Sequence, residues 1–282
     1  MITIATKAEM HAHTASARAA GRRIGLVPTM GAFHAGHHAL MRAARETCDE
    51  VVVSLFVNPA QFDEASDLAA YPRTEERDAA EAAGLGVDVL FAPSPEEVYP
   101  AGFATSVRVE GLSDVFEGAE RGPGHFAGVC TVVAKLLNVV APDVAYFGQK
   151  DAQQVVVIRR MVRDLNFPVE VVVGPIVREP DGLAMSSRNV YLSPPERQAA
   201  TLLHRALTAA GAAHAAGESD GDALLAILSS TLAAEPLARE EYVSVADPET
   251  LDELDLVTSR GALLSLAVRV GKTRLIDNLF LE

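Results

Sequence analysis

Between residues 24 and 173 the chain alternates short β-prone apolar runs with helical stretches, and this alternation restricts the fold more than any other feature. Ile24 to Pro28 is an apolar run. A glycine-containing turn follows, then a helical stretch from about Gly36 to Cys48 and the β-branched run Val51 to Val57. Strand, helix and strand make a βαβ unit, whose crossover is right-handed. The pattern continues with a helix near Thr74 to Ala83, a strand Val87 to Phe91, a helix near Val129 to Val140 and a strand Val144 to Phe147. A helix near Ala152 to Asn166 and a strand Val169 to Val173 complete it. Helices between parallel strands predict an α/β fold with a doubly wound parallel sheet. After Val177 the texture changes to a polar, Gly/Pro-punctuated loop, REPDGLAMSSRNVYLSPPERQ, and then to an Ala-rich helical region from about Glu196 to Ala215. The domain boundary is expected near residues 175 to 185. Two β-like runs, Tyr242 to Val245 and Leu263 to Val270, suggest a smaller α+β second domain.

A chain of 282 residues, 49% hydrophobic and 22% charged, can bury a substantial core. It contains no run of about 18 apolar residues that would span a membrane. The N-terminal segment lacks a continuous apolar stretch and carries Lys7 and Glu9, so a cytoplasmic location is expected. Cys48 and Cys130 have no CxxC spacing and read as buried small hydrophobes. A formal charge of -14 argues against a nucleic-acid partner, which requires a basic face. Any phosphate bound here is expected to be small and held locally.

Three segments can carry chemistry. The first, PTMGAFHAGH, lies between the first strand of the βαβ unit and its helix, at the sheet edge where ligands of such folds bind. His34 and His37 are three residues apart and can face one ligand from the first helical turn. Gly31 and Gly36 allow close backbone approach, and a helix N-terminus favours an anion. No third ligand lies nearby and HExxH is absent, so the pair suits a phosphate better than a metal. The plainer reading is two surface histidines at a helix start. The second segment is FGQKDAQQ, where Lys150 offers a mobile charge and Asp151 can accept from a ribose hydroxyl or cap its helix. The third is MSSRN, two hydroxyls and an arginine on a loop that can close over a polyphosphate.

Two further segments mislead. GPGHFAG imitates a dinucleotide fingerprint but follows EGAER rather than a strand, and its third glycine comes one place late. GKT at Gly271 to Thr273 lacks the first glycine of a Walker loop, since position 266 is Leu.

The HxGH turn paired with the later MSSR loop resembles the nucleotidyltransferase superfamily that includes class I aminoacyl-tRNA synthetases. PTMGAFHAGH, SLFVNPAQF, YPRTEERD, GHFAGVCTVVAKLLN, FGQKDAQQ, DGLAMSSRN and TRLIDN, taken in order from residue 28 to 278, are together similar to the pantothenate synthetase (pantoate–β-alanine ligase) family. That resemblance implies a homodimer. It also implies a Rossmann-like nucleotide- and pantoate-binding domain over residues 1–178 and a C-terminal lid over 179–282. The implied reaction consumes ATP with Mg²⁺, (R)-pantoate and β-alanine. The ATP contacts it implies are Met30, Gly31, Ala32, Phe33, His34, Ala35, Gly36 and His37, with His37 as proton donor, and Gly148, Gln149, Lys150 and Asp151. Val177, Met185, Ser186, Ser187 and Arg188 complete the set. It implies Gln61 and Gln154 as pantoate ligands, with Met30 and Phe62 able to cover the gem-dimethyl group. His34, His37, Lys150 and Arg188 would stabilise the transferring phosphoryl charge. No protein metal ligand is implied. Asp78 is expected to cap and solvate its helix rather than approach magnesium. The chain reads RGPGHF where the family has RPGHF, so Arg121 receives no role. Three rivals remain: a nucleotidylyltransferase acting on a phosphorylated substrate, a tRNA-binding synthetase-like module and a silent nucleotide-binding protein.

Overall fold

The computed structural model of the chain describes residues 1–62, 68–69, 71–122 and 124–282. Two compact units emerge, one made of Met1–Gly148 with Gln153–Pro175, the other of Gln149–Ala152 with Ile176–Glu282.

In the first unit the described elements are β1 (Ile2–Ile4), α1 (Lys7–Ala19), β2 (Ile24–Thr29), α2 (Ala35–Thr47), β3 (Glu50–Leu55) and α3 (Glu75–Gly84). They continue with β4 (Val89–Phe91), α4 (Pro95–Val98), α5 (Phe116–Arg121), α6 (Gly124–Val140), β5 (Val144–Gly148), α7 (Ala152–Asp164) and β6 (Glu170–Gly174). All six strands are parallel, in the order β1-β4-β3-β2-β5-β6. The doubly wound α/β sheet read from the sequence is the one the chain forms. Strand order reverses between β2 and β5, and those two strands separate there. Their pairing ends at Leu26 and Ala145, whereas β2 stays on β3 to Thr29 and β5 stays on β6 to Gly148. The crevice so opened at the carboxyl edge is where open α/β sheets place ligands.

Helix α2 closes one face of the sheet. Leu40, Met41 and Ala44, at helical spacing, are buried with Val27, Val51, Val53 and Tyr146. Each fully buried side chain of this size, such as Met41, contributes about 1.5–3 kcal/mol. Both cysteines are buried as expected, and burial pushes the Cys130 thiol up to about 12. The sequence pattern announces neither β1 nor α1, whose start is marked by the Thr6 hydroxyl accepting from the Glu9 backbone N–H.

In the second unit the Ala-rich region is two helices, α8 (Pro194–Ala199) and α9 (Leu202–Ala215), and α10 (Gly221–Ala233) follows. Three antiparallel strands, β7 (Ala238–Ala246), β8 (Ala262–Val270) and β9 (Thr273–Leu281), form its sheet. Leu203, Leu207, Leu224 and Leu228 pack on Leu264, Leu266 and Val268. The GKT segment is the hairpin turn between β8 and β9, where Val270 pairs with Thr273.

Candidate active site

The carboxyl end of β2 runs into residues 30–37, and the geometry of that loop differs from a cradle of free amides. Gly31 and Ala32 both have positive φ, 84° and 52°. The sharp bend this makes aims the Ala32 and Phe33 backbone N–H groups at the Asp78 carboxylate, at 2.8 and 3.0 Å. Asp78 is fully buried and also accepts from the Thr74 hydroxyl at 2.9 Å. The expectation that Asp78 caps and solvates its helix is therefore wrong. Its carboxylate fastens the loop through Ala32 and Phe33, and a side chain on Gly31 would meet it at 3.0 Å. An Asp78→Asn variant keeps the volume but sets an amide NH₂ against one of the two N–H donors, since only one of its two terminal atoms can still accept. It is expected to lose about 1–3 kcal/mol in urea unfolding, the scale of an unsatisfied buried group. The exposed neighbour Glu76→Gln should change stability by less than about 0.5 kcal/mol.

The two histidines form a reciprocal cap. His34 Nδ1 accepts from Gly36 N at 3.1 Å, and His37 Nδ1 accepts from His34 N at 3.3 Å. The Gly31 N–H goes to the Thr29 hydroxyl at 3.3 Å. The Gly31, His34 and Gly36 amides are thus engaged within the loop. What the turn offers a ligand is the far edge of each ring. An accepting Nδ1 places the proton of a neutral imidazole on Nε2, so the outer nitrogen of each ring is a donor. Their rings lie 4.2 Å apart between centroids, and a side chain on Gly36 would come within 2.9 Å of the His34 ring. The missing side chain of Gly36 leaves room for the His34 imidazole.

Past β3, the segment 58–62 includes a single 3₁₀ turn, Pro59–Gln61. Gln61 donates through Nε2 toward Met30 Sδ at 3.0 Å and accepts through Oε1 from Asn58 Nδ2 at 3.1 Å. The structure thus brings together two residues named for the substrate site, Met30 and Gln61, and fixes which end of the Gln61 amide faces Met30. Asn58 is buried and also donates to Gly128 O at 3.1 Å, while its Oδ1 accepts from the Tyr99 hydroxyl at 2.7 Å. Burial raises the Tyr99 phenol to about 12, so at neutral pH it remains a donor. His125 Nδ1 lies 2.9 Å from the Gln61 carbonyl oxygen. Sequence reasoning missed Asn58, Tyr99 and His125. The first and last were visible as the polar members of NPAQF and GHF. Within GPGHFAG, Pro123 lies outside the described residues. Gly128 is a packing residue, since a Cβ there would overlap the Ala60 carbonyl.

Phe62 follows the turn and stacks edge-on with Tyr71 at 5.6 Å. Gln154 is half-buried in the first turn of α7. Its neighbour Gln153 is buried and structural, accepting from Glu117 N at 3.0 Å and donating to the Leu112 and Val115 carbonyls at 2.8 Å. Arg121 pairs with Glu117 at 3.1 Å on α5.

In the second unit, a cavity is lined by Lys150, Ser186, Arg188 and Arg274 among others. Lys150 sits in the 3₁₀ turn Gln149–Asp151, its amine 3.7 Å from Asp151. The loop expected after Val177 is a tight hairpin. Met185 N donates to Val177 O at 2.9 Å, and Arg178 bridges Ala184, so two of the residues named for ATP are adjacent. Arg178 grips Asp277 through both guanidinium nitrogens at 2.6 and 3.0 Å and reaches the Gly182 carbonyl at 3.0 Å. Ser187–Tyr191 then forms a 3₁₀ turn, started by Ser186 Oγ accepting from Arg188 N at 3.2 Å. The lining also includes the Asp277 carboxylate, and Arg274 is paired with Glu241, while Lys150, Ser186 and Arg188 are of the types that hold phosphate oxygens. Among the described residues no group of three His, Cys, Asp or Glu side chains could hold a metal ion.

A family model described as Pantoate-beta-alanine ligase matches residues 2–280. A pantothenate synthetase of Chloroflexus aggregans is 58% identical over 262 residues, covering 93% of this chain and 94% of that protein. One from Roseiflexus castenholzii is 57% identical over 282 residues, covering 100% of both. Among solved structures, pantothenate synthetase from Thermus thermophilus matches with a TM-score of 0.92 at 50% identity over 99% of each chain. A pantoate-β-alanine ligase from Francisella tularensis, described as complexed with β-γ ATP and β-alanine, matches at 0.80 with 34% identity. That match covers 99% of this chain and 97% of the other.

Proposed function

The chain belongs to the pantoate–β-alanine ligase family, and from that premise we propose that it condenses (R)-pantoate with β-alanine at the expense of ATP. The products are pantothenate, AMP and pyrophosphate, formed through a pantoyl-adenylate. The observation that carries this reading is the match to the family over nearly the whole chain. In the first step a pantoate carboxylate oxygen attacks the α-phosphorus, and the bond to the bridging oxygen breaks as pyrophosphate leaves. The β-alanine amine then attacks the acyl carbon, AMP leaves, and the new amide nitrogen loses its proton.

The residues supply roles of matching chemistry. His34 and His37 donate through Nε2–H to phosphoryl oxygens as charge develops. Lys150 and Arg188 neutralise the departing phosphates, the Ser186 hydroxyl donates to them, and Gly148, Gln149, Asp151, Val177, Met185 and Ser187 complete the nucleotide contacts. Gln61 and Gln154 bond pantoate's oxygens without adding charge, with Met30 and Phe62 against its methyl groups. Mg²⁺ arrives on the phosphates of ATP and shields their charge. Residues 1–178 hold nucleotide and pantoate, and residues 179–282 act as a lid that keeps water from the mixed anhydride. The active form is a cytoplasmic homodimer. Among the described residues, no helix is long and apolar enough to cross a membrane.

A pyrophosphate burst tests the order of events. ATP, Mg²⁺ and pantoate without β-alanine are expected to release about one equivalent of pyrophosphate per active site, leaving a protein-bound AMP-linked pantoyl species. Added β-alanine should discharge it as pantothenate. If pyrophosphate appears only once β-alanine is present, the adenylate step does not precede the amine and the mechanism fails as written.

A further inference from the structure

The segment 273–278, the last of the sequence motifs, has no part in the chemistry above. We propose that Asn278 is the positioning residue for Lys150, acting through the backbone of the Gln149–Asp151 turn. The proposal rests on the phosphate-neutralising role given to Lys150.

Asn278 lies on β9 and is 3% exposed. Its Nδ2 donates to two consecutive carbonyls, Gln149 O at 2.9 Å and Lys150 O at 3.0 Å. Its Oδ1 accepts from Gln149 Nε2 at 3.0 Å. One buried amide therefore uses both protons and its oxygen on the same turn, which fixes the planes of the two peptide units that flank the Lys150 Cα. The turn needs such a clamp. A three-residue 3₁₀ segment has too few internal hydrogen bonds to hold its own shape. The ion pair of Lys150 with the half-exposed Asp151, at 3.7 Å, is too weak to hold it. Asn278 is itself fixed, because its backbone N–H donates to Asp277 Oδ1 at 2.8 Å, on the carboxylate that grips Arg178. The Asp-Asn pair thus fastens both chain segments that line the cavity: Asn278 holds the turn carrying Lys150, and Asp277 holds the hairpin that leads to Ser186 and Arg188. No other side chain of similar size does what Asn278 does here. Aspartate would set an acceptor against two carbonyls, and leucine would leave both carbonyls without a donor.

The experiment is a double-mutant cycle of Asn278→Asp and Lys150→Ala, read as kcat/KM for ATP and as the urea midpoint of each variant. Asn278→Asp should lower kcat/KM for ATP about 10- to 100-fold in the otherwise unaltered enzyme, the scale of a misplacement near 1 Å. In the Lys150→Ala background the same substitution should cost at least about threefold less, because the principal group it positions is gone and only Gln149 and Asp151 remain on the turn. Equal losses in both backgrounds, or no loss in either, would overturn the proposal and leave Asn278 as a packing residue. Wild-type turnover in Lys150→Ala alone would instead remove the Lys150 assignment on which it stands. If Asn278→Asp shows no cooperative unfolding transition, Asn278→Ser, which retains one donor, enters the same cycle under the same criteria.

Discussion

His37→Ala is expected to lower turnover by about 10² to 10³-fold, the loss found when one preorganised transition-state donor is removed. The same substitution takes away half of the reciprocal cap at the start of α2, because His37 Nδ1 accepts the His34 N–H. Loss of that cap is worth about 0.5–2 kcal/mol of stability. The two effects are separable. Glutamine at this third helical position is the usual partner in a capping box, and its carbonyl oxygen can take the same N–H. His37→Gln should therefore recover the urea midpoint of the wild type while most of the turnover loss remains, since no imidazole Nε2–H faces the nucleotide. Recovery of turnover along with stability would mean that His37 serves the chain only as a cap. Wild-type turnover in His37→Ala would remove it from the chemistry altogether.

His37, a cap in the fold and a candidate for the chemistry, shows where the sequence was legible. The alternation of β-branched runs with helical stretches specified the parallel sheet, because strands buried on both faces must be nearly all apolar and so stand out. The placement of the HxGH turn at the carboxyl end of β2 followed from that alone. Elements whose buried positions are polar stayed hidden. Strand β9 puts Asp277 and Asn278 inside, at 2% and 3% exposure, which breaks the apolar alternation that marks a strand. Helix α1 has few apolar residues, and its start was marked only by the T-x-x-E spacing of Thr6 and Glu9. Asp78 shows a third limit. In sequence it is one more acid in the first turn of α3. Only the fold, which brings it under residues 46 and 45 positions earlier, reveals a buried anchor. Residue types announced the candidate chemistry of His34, Lys150 and Arg188, while the groups that hold such residues in place act across long sequence separations and carry no local signal.

Gly128→Ala is expected to be a strongly damaging single methyl group in the first unit. Helix α6 approaches the Pro59–Gln61 turn so closely at Gly128 that a Cβ would overlap the Ala60 carbonyl oxygen, a backbone atom that cannot rotate away. Helix and turn must part, and the Asn58 side chain bridges that gap. Its Nδ2 contacts both Gly128 O and Gln61 Oε1 at 3.1 Å. Separation breaks this bridge and frees the Gln61 amide to turn over, so the donor toward Met30 is no longer fixed. Overpacking of this kind costs about 1–3 kcal/mol in stability. The functional cost should be of similar size, a fall of about 100-fold in kcat/KM for pantoate, the scale for misplacing a substrate-positioning group by about 1 Å. A matched control separates the two. Leu137→Ala, buried on the same helix, loses about 2–5 kcal/mol through cavity formation without touching the Asn58 bridge. Under conditions where both variants remain folded, Leu137→Ala should keep its kcat/KM for pantoate within about threefold of wild type. If the two variants lose pantoate efficiency alike, the contact at Gly128 matters only for stability, and Gln61 does not depend on it for its orientation.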